Sequence, residues 1–194
     1  MPAARLIAPL MWWKLVPAAG VILLAVALTV VVGPVFTTPQ VGATLDPVPG
    51  PTAIMSSLLI AFAIAGTLKE PVSVLPRTGT RRVRVWRYLR VLGLLTLSTL
   101  MLTLTTPDTA TAALSCVCAL SGEALLLARL LWEEIAWAAP LLHAGLTLTF
   151  GADSFGNPHA WAWILQPQPT GTALASSVLL LTVGIVTWGQ KLPT

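Results

Sequence analysis

Ionisable residues are scarce in this chain, and two of them stand inside long apolar stretches. The 194 residues include seven Asp and Glu and two His, and only 9% of all residues are charged. Glu123 lies within SGEALLLARLL, and His143 lies within PLLHAGLTLTF. A carboxylate in apolar surroundings is costly unless it is paired. We therefore expect Glu123 to have a partner, with His143 and Arg129 as the candidates.

The composition indicates the surroundings in which these residues must work. The chain is 56% hydrophobic and its mean hydropathy is +0.84, whereas a soluble domain carries about 25% charged residues. Such a chain cannot cover a water-facing surface, so the lipid bilayer must be its solvent. The apolar runs predict an all-α polytopic membrane protein with six transmembrane helices. These spans are expected at about 14–33, 51–68, 86–106, 109–130, 133–150 and 171–188.

The distribution of Lys and Arg predicts the orientation of these spans. Most of the eleven Lys and Arg lie in the segment 69–90, and basic residues near span ends are retained on the cytoplasmic side. Segment 69–90 is therefore expected to be a basic cytoplasmic loop. The expected outer segments contain no Lys or Arg, and each inner segment contains at least one. Both termini are thus predicted to be cytoplasmic, in a multi-pass protein of the bacterial plasma (inner) membrane.

Spans four and five form an antiparallel hairpin in this arrangement, which brings Glu123 and His143 to a similar depth. The pair is either a structural link between two helices or a site for a substrate, an ion or a proton. In a third interpretation Glu123 extends to cytosolic water. Arg129, at the inner end of span four, is the second candidate partner.

Further candidate residues lie in the connections around span five. Glu133 and Glu134 are expected in the first turn of that span, where carboxylates favour the helix dipole, and the alternative is a gate. Pro140 is expected to kink the span. The outer segment 151–170 suits an interface-lying or re-entrant element. Its polar and aromatic residues could form an outer lid, namely Asp153, His159, Trp161 and Trp163.

The sequence contains no motif for catalysis. It has no serine nucleophile with a His partner, no metal-ligand spacing and no phosphate-binding Gly-rich loop. We therefore expect that the chain is not an enzyme and binds no cofactor or metal. Nucleic acid is not expected as a partner, since no soluble basic face is available. The expected partner is the bilayer itself.

The organisation resembles the membrane subunits of type-two ABC exporters. The matching parts are an N-terminal interfacial stretch at 1–13, the loop 69–90 between spans two and three, and the segment 151–170 between spans five and six. This resemblance implies that a coupling loop contacts a cytosolic ATPase subunit, which binds the ATP. The coupling residues would be Arg77, Arg81, Arg82, Arg84 and Arg87. It also implies an amphipathic substrate and a second membrane subunit, which would pack on a ridge of small residues in span two, at Ala53, Ser57, Ala61 and Ala65.

Two other functions remain open at this stage. The composition resembles that of small membrane proteins of high-GC actinobacteria, which indicates no mechanism. The chain is also similar in length and span number to the substrate-binding subunit of an energy-coupling vitamin importer. The other alternative is a non-catalytic structural or accessory subunit of a membrane complex.

Overall fold

The described part of the chain is all-helical, as predicted. The computed structural model describes residues 3–32, 51–68, 80–105, 110–153, 157–166 and 169–190, although not every side chain in them. These residues form six α-helices and two short 3₁₀ turns, Glu133–Ile135 and Trp163–Leu165. The helices are α1 (Ala3–Val32), α2 (Pro51–Leu68), α3 (Thr80–Thr105), α4 (Ala110–Leu130), α5 (Ala138–Phe150) and α6 (Gly171–Gly189).

Three of the helices are long and apolar enough to cross a membrane. The qualifying stretches are Arg87–Thr105, Ala110–Leu130 and Gly171–Gly189. α1 and α2 contain shorter apolar stretches, Leu15–Val31 and Ala53–Leu68. α5 has 13 residues, which corresponds to a length of about 20 Å.

Three helices differ from their predicted limits. α3 begins at Thr80, six residues before the predicted start at 86 and inside the predicted loop 69–90, because no Pro interrupts the chain between Gly79 and Thr105. α1 is continuous from Ala3 to Val32, whereas the sequence analysis separated 1–13 from a span beginning near residue 14. α5 begins at Ala138 rather than at 133, because Trp132 is extended and a separate 3₁₀ turn follows it. Pro140 is thus the third residue of α5. A missing N–H has no consequence in a first turn, so Pro140 belongs to the start of the helix rather than to a kink.

α4 is the central helix of the described bundle. Of its 21 residues, 13 are buried, and it contacts α2, α5, α6 and both 3₁₀ turns. Small residues allow this dense packing. A Cβ atom on Gly184 would lie 2.7 Å from the backbone oxygen of Gly122, so the α4 and α6 backbones approach directly.

The seam between α4 and α6 also shows the direction of the two helices. Ser115 and Ser177 hydrogen bond through their hydroxyl groups at 2.9 Å, and they are 62 positions apart. Gly122 and Gly184 have the same separation. A constant separation along the seam means that α4 and α6 run parallel, as two helices separated by one antiparallel helix must do.

The small-residue ridge of α2 lies inside the chain. All four of its members are buried, with relative exposures of 8% or less: Ala53, Ser57, Ala61 and Ala65. Since α2 contacts α1 and α4, the ridge serves packing within one copy. It is therefore not available as the surface for a second membrane subunit that the resemblance implied.

Candidate functional site

The structure places Glu123 and His143 in direct contact. Nδ1 of His143 lies 2.5 Å from Oε1 of Glu123, and 19% and 17% of the two side chains, respectively, are exposed. Glu123 lies seven residues before the end of α4 and His143 five residues after the start of α5. The antiparallel arrangement of these helices therefore brings the two side chains to the same level.

Trp163 completes a chain of three polar groups. Its indole N–H donates to Nε2 of His143 at 3.4 Å, and the two rings are stacked with their centroids 6.3 Å apart. An indole N–H can only donate, so Nε2 must accept. The ring proton of neutral His143 is thus on Nδ1, which donates to Oε1 of Glu123. Oε2 of Glu123 is buried and has no hydrogen-bond partner among the described residues.

The segment after α5 folds back to bring Trp163 to this position. The amide of His159 donates to the carbonyl of Gly151 at 2.8 Å, which closes the reversal of the chain. The 3₁₀ turn Trp163–Leu165, here called the buried turn, then lies against α4 and α5. The carbonyl of Ile164 accepts from Sγ of Cys116 at 3.2 Å. Cys116 is six residues into α4, so the buried turn lies about 9 Å along the helix from its start.

Apolar packing holds the buried turn as well. The side chain of Ile164 is 2% exposed and belongs to a core cluster that contains Leu120 of α4 and Ala144 of α5. Trp163 and Leu165 pack against the same cluster. The site therefore consists of one carboxylate, one imidazole and one indole N–H beneath a folded-back segment.

This arrangement can bind a proton or a small cation. Its unpartnered carboxylate oxygen and its imidazole are the basic atoms. Within the described residues, no three or more His, Cys, Asp or Glu residues are placed together to hold a metal ion.

The other predicted partners are placed elsewhere. Arg129 is exposed at the end of α4, and Glu123 is hydrogen bonded only to His143 in the described structure. Glu133 and Glu134 lie in the 3₁₀ turn before α5 rather than in its first helical turn.

The predicted outer lid divides into two parts. Trp163 points inward, whereas His159 and Trp161 are exposed and stack on each other with centroids 6.4 Å apart. Asp153 accepts hydrogen bonds from the backbone amide and the side chain of Asn157, which braces the reversal of the chain. Only Trp163 is thus part of the polar site.

The predicted coupling residues are only partly described. Arg77 lies outside the described residues, and so do the side chains of Arg81, Arg82 and Arg84. Arg87 is 7% exposed, and its guanidinium lies 5.8 Å from the ring centroid of Trp188 in α6. Arg87 therefore packs within the bundle instead of presenting its charge on a docking surface.

The sequence analysis did not identify Trp163 as a partner of His143. The sequence predicts Trp163 as part of a lid. Helical periodicity cannot predict the contact with His143, because Trp163 follows a reversal of the chain. Comparison with protein-family models, curated proteins and solved structures found no match. The contacts within the chain are therefore the basis for the proposals that follow.

Proposed function

We propose that the chain is the transmembrane subunit of an ABC-type exporter complex, which moves an amphipathic substrate and is driven by a separate ATPase subunit. The subunit is a multi-pass protein of the bacterial plasma membrane with both termini in the cytoplasm. The fold-back of the segment between α5 and α6 carries the proposal. Its buried turn is enclosed by α4 and α5, and type-two exporter subunits have an outer segment at the same place in the chain that dips into the membrane.

The outer surface of the helices supports insertion in a bilayer. Large apolar side chains are exposed on the described helices, and in a bilayer they would contact lipid tails rather than water. Such residues occur on α1, α3 and α6, and they include Val16, Leu23, Val31, Leu89, Leu104, Leu179 and Val186. The parallel direction of α4 and α6 also agrees with helices that alternate across a membrane.

The scarcity of charge supports an amphipathic substrate. Glu123 is the only acidic residue inside the described α-helices, and it is already bound to His143. No other acidic residue thus remains in the described α-helices to neutralise a cationic substrate, whereas a peptide, a lipid or a drug with apolar parts needs no such neutralisation.

A pull-down of the tagged chain in mild detergent tests the proposal. Mass spectrometry should find an ATP-binding subunit in stoichiometric amount. Changing Arg81, Arg82 and Arg84 together to Gln should reduce its recovery, whereas Arg129→Gln should not, because Arg129 lies outside the basic loop. Recovery of the chain without any ATPase would refute the exporter function.

A structural subunit of a membrane complex is the second candidate. The mutual contact of Glu123 and His143 favours it, because a pair that is satisfied within the chain links two helices without needing a substrate. In that case Glu123→Gln should reduce assembly of the complex, as measured by native gel electrophoresis, without a separate transport defect.

A further inference from the structure

We propose that His143 is a proton-binding site and that proton binding releases the buried turn from the helix bundle. Three contacts meet at one imidazole ring, from Glu123 on one side and Trp163 on the other. None of them involves a partner subunit, so the site would operate in an exporter and in a structural subunit alike.

Both nitrogen atoms of neutral His143 are engaged. Nδ1–H donates to Glu123, and Nε2 accepts from the indole N–H of Trp163. An added proton must go to Nε2, since this atom carries the only lone pair that can take it. Nε2–H then faces the N–H of Trp163, and neither group can accept. The link between the buried turn and α5 is therefore lost when His143 becomes charged.

The contact with Glu123 does not depend on the charge of the ring. The Glu123 carboxylate oxygen lies 2.5 Å from Nδ1, and Nδ1–H can donate to it in both the neutral and the charged imidazole. The added proton therefore changes only the contact at Nε2.

Few other titratable groups face this ring from the elements that pack against α5. The described stretch 53–68 of α2 and the buried turn contain none. α4 carries the thiols of Cys116 and Cys118 besides Glu123 and Arg129, and the 3₁₀ turn before α5 carries Glu133 and Glu134. Of these groups, Glu123 is the one that contacts the imidazole directly in the described structure. Histidine is also the side chain that ordinarily gains a proton between pH 5 and 8.

The other contacts of the buried turn are one weak hydrogen bond and its packing in the core. The Sγ–H of Cys116 donates to the carbonyl of Ile164, and the Ile164 side chain packs in the core. Loss of one hydrogen bond of ordinary strength, about 1 kcal/mol, changes an equilibrium about fivefold. Release of the turn should therefore expose Cys116, which is 1% exposed when the turn is bound.

Labelling of Cys116 by thiol–disulfide exchange tests this site directly, because the thiol displaces 4-thiopyridone from the reagent and forms a mixed disulfide. Cys118→Ala leaves Cys116 as the only thiol, since the chain has two cysteines. The purified full-length protein in detergent is treated with 4,4′-dithiodipyridine at about pH 8 and about pH 5. Each labelling rate is divided by the labelling rate of the Cys118→Ala, Trp163→Phe double variant at the same pH. This variant lacks the indole N–H, so the division removes the pH dependence of the thiol reaction itself.

We expect this ratio to rise about fivefold from the higher to the lower pH. The two histidines of the chain supply a matched pair of variants. His159→Gln should keep the rise, because His159 lies on the exposed part of the outer segment, whereas His143→Gln should abolish it.

Two results would overturn the proposal. The first is an equal ratio at both pH values in the Cys118→Ala protein. This measurement leaves His143 unchanged, so it does not depend on whether a His143 variant folds. The second is a rise that survives in His143→Gln or disappears in His159→Gln.

Discussion

The contact between Glu123 and His143 predicts a strong energetic coupling between the two positions. Glu123→Leu leaves the Nδ1–H of His143 without an acceptor. A hydrogen bond to a charged group contributes about 1.5 to 3 kcal/mol, and the partial exposure of both side chains places the expected loss near the middle of that range, at about 2 kcal/mol. His143→Leu removes the partner of both Glu123 and Trp163, so its cost should be larger, about 3 kcal/mol.

The double variant should recover much of this loss, because two apolar residues leave only the Trp163 N–H without a partner. With a cost of about 2 kcal/mol for the unpartnered indole N–H in the double variant, we expect a coupling energy of about 3 kcal/mol. The assay is unfolding by SDS in mixed micelles, followed by the helical circular dichroism signal. Arg129→Leu serves as the control partner, since Arg129 does not contact Glu123, and its effect should add to that of Glu123→Leu. A coupling energy below about 0.5 kcal/mol between positions 123 and 143 would refute the pairing.

The same unfolding assay checks the seam between α4 and α6. Gly184→Ala should destabilise the protein by about 1 to 3 kcal/mol through overpacking, since its Cβ would lie 2.7 Å from the backbone of α4. Gly93→Ala should be neutral or stabilising, because nothing lies within 4 Å of its Cβ; equal losses would contradict the seam. Ser115→Ala should cost about 1 kcal/mol, because its hydroxyl bonds to Ser177. Ser121→Ala should not destabilise the protein, because the buried Ser121 hydroxyl has no hydrogen-bond partner in the described structure. A larger loss of stability in Ser121→Ala than in Ser115→Ala would contradict the hydrogen bond between Ser115 and Ser177.

The positions of the helices follow from the sequence because each depends on its own residues. Long apolar runs between polar, Pro-rich or Gly-rich segments predicted α2, α4 and α6 to within about two residues, as is usual for helix ends. α1, α3 and α5 begin at other residues than predicted, and α5 shows why. Its predicted start at 133 rested on the benefit of acidic residues in a first turn, but extended backbone at Trp132 and the position of Pro140 favour a later start.

The site was only partly predictable for a different reason. Glu123 and His143 stand on neighbouring helices of one hairpin, so their levels can be counted along the helix axes. Trp163 reaches His143 only because the chain reverses near Gly151 and returns toward α4, and this path depends on contacts such as that of Cys116 with Ile164. The burial of Arg87 likewise depends on Trp188, which is distant in sequence.

The placement of α6 explains why Glu123 pairs with α5. Adjacent residues of a helix point about 100° apart, and Gly122 packs directly against the backbone of α6. Glu123 is therefore directed away from this contact, toward the neighbouring α5, where His143 is the only titratable side chain. The second nitrogen of the imidazole, Nε2, then needs a hydrogen-bond donor, and the indole N–H of Trp163 donates to it. Close packing on one side of α4 thus directs the hydrogen-bonded chain of Glu123, His143 and Trp163 to another side of the helix.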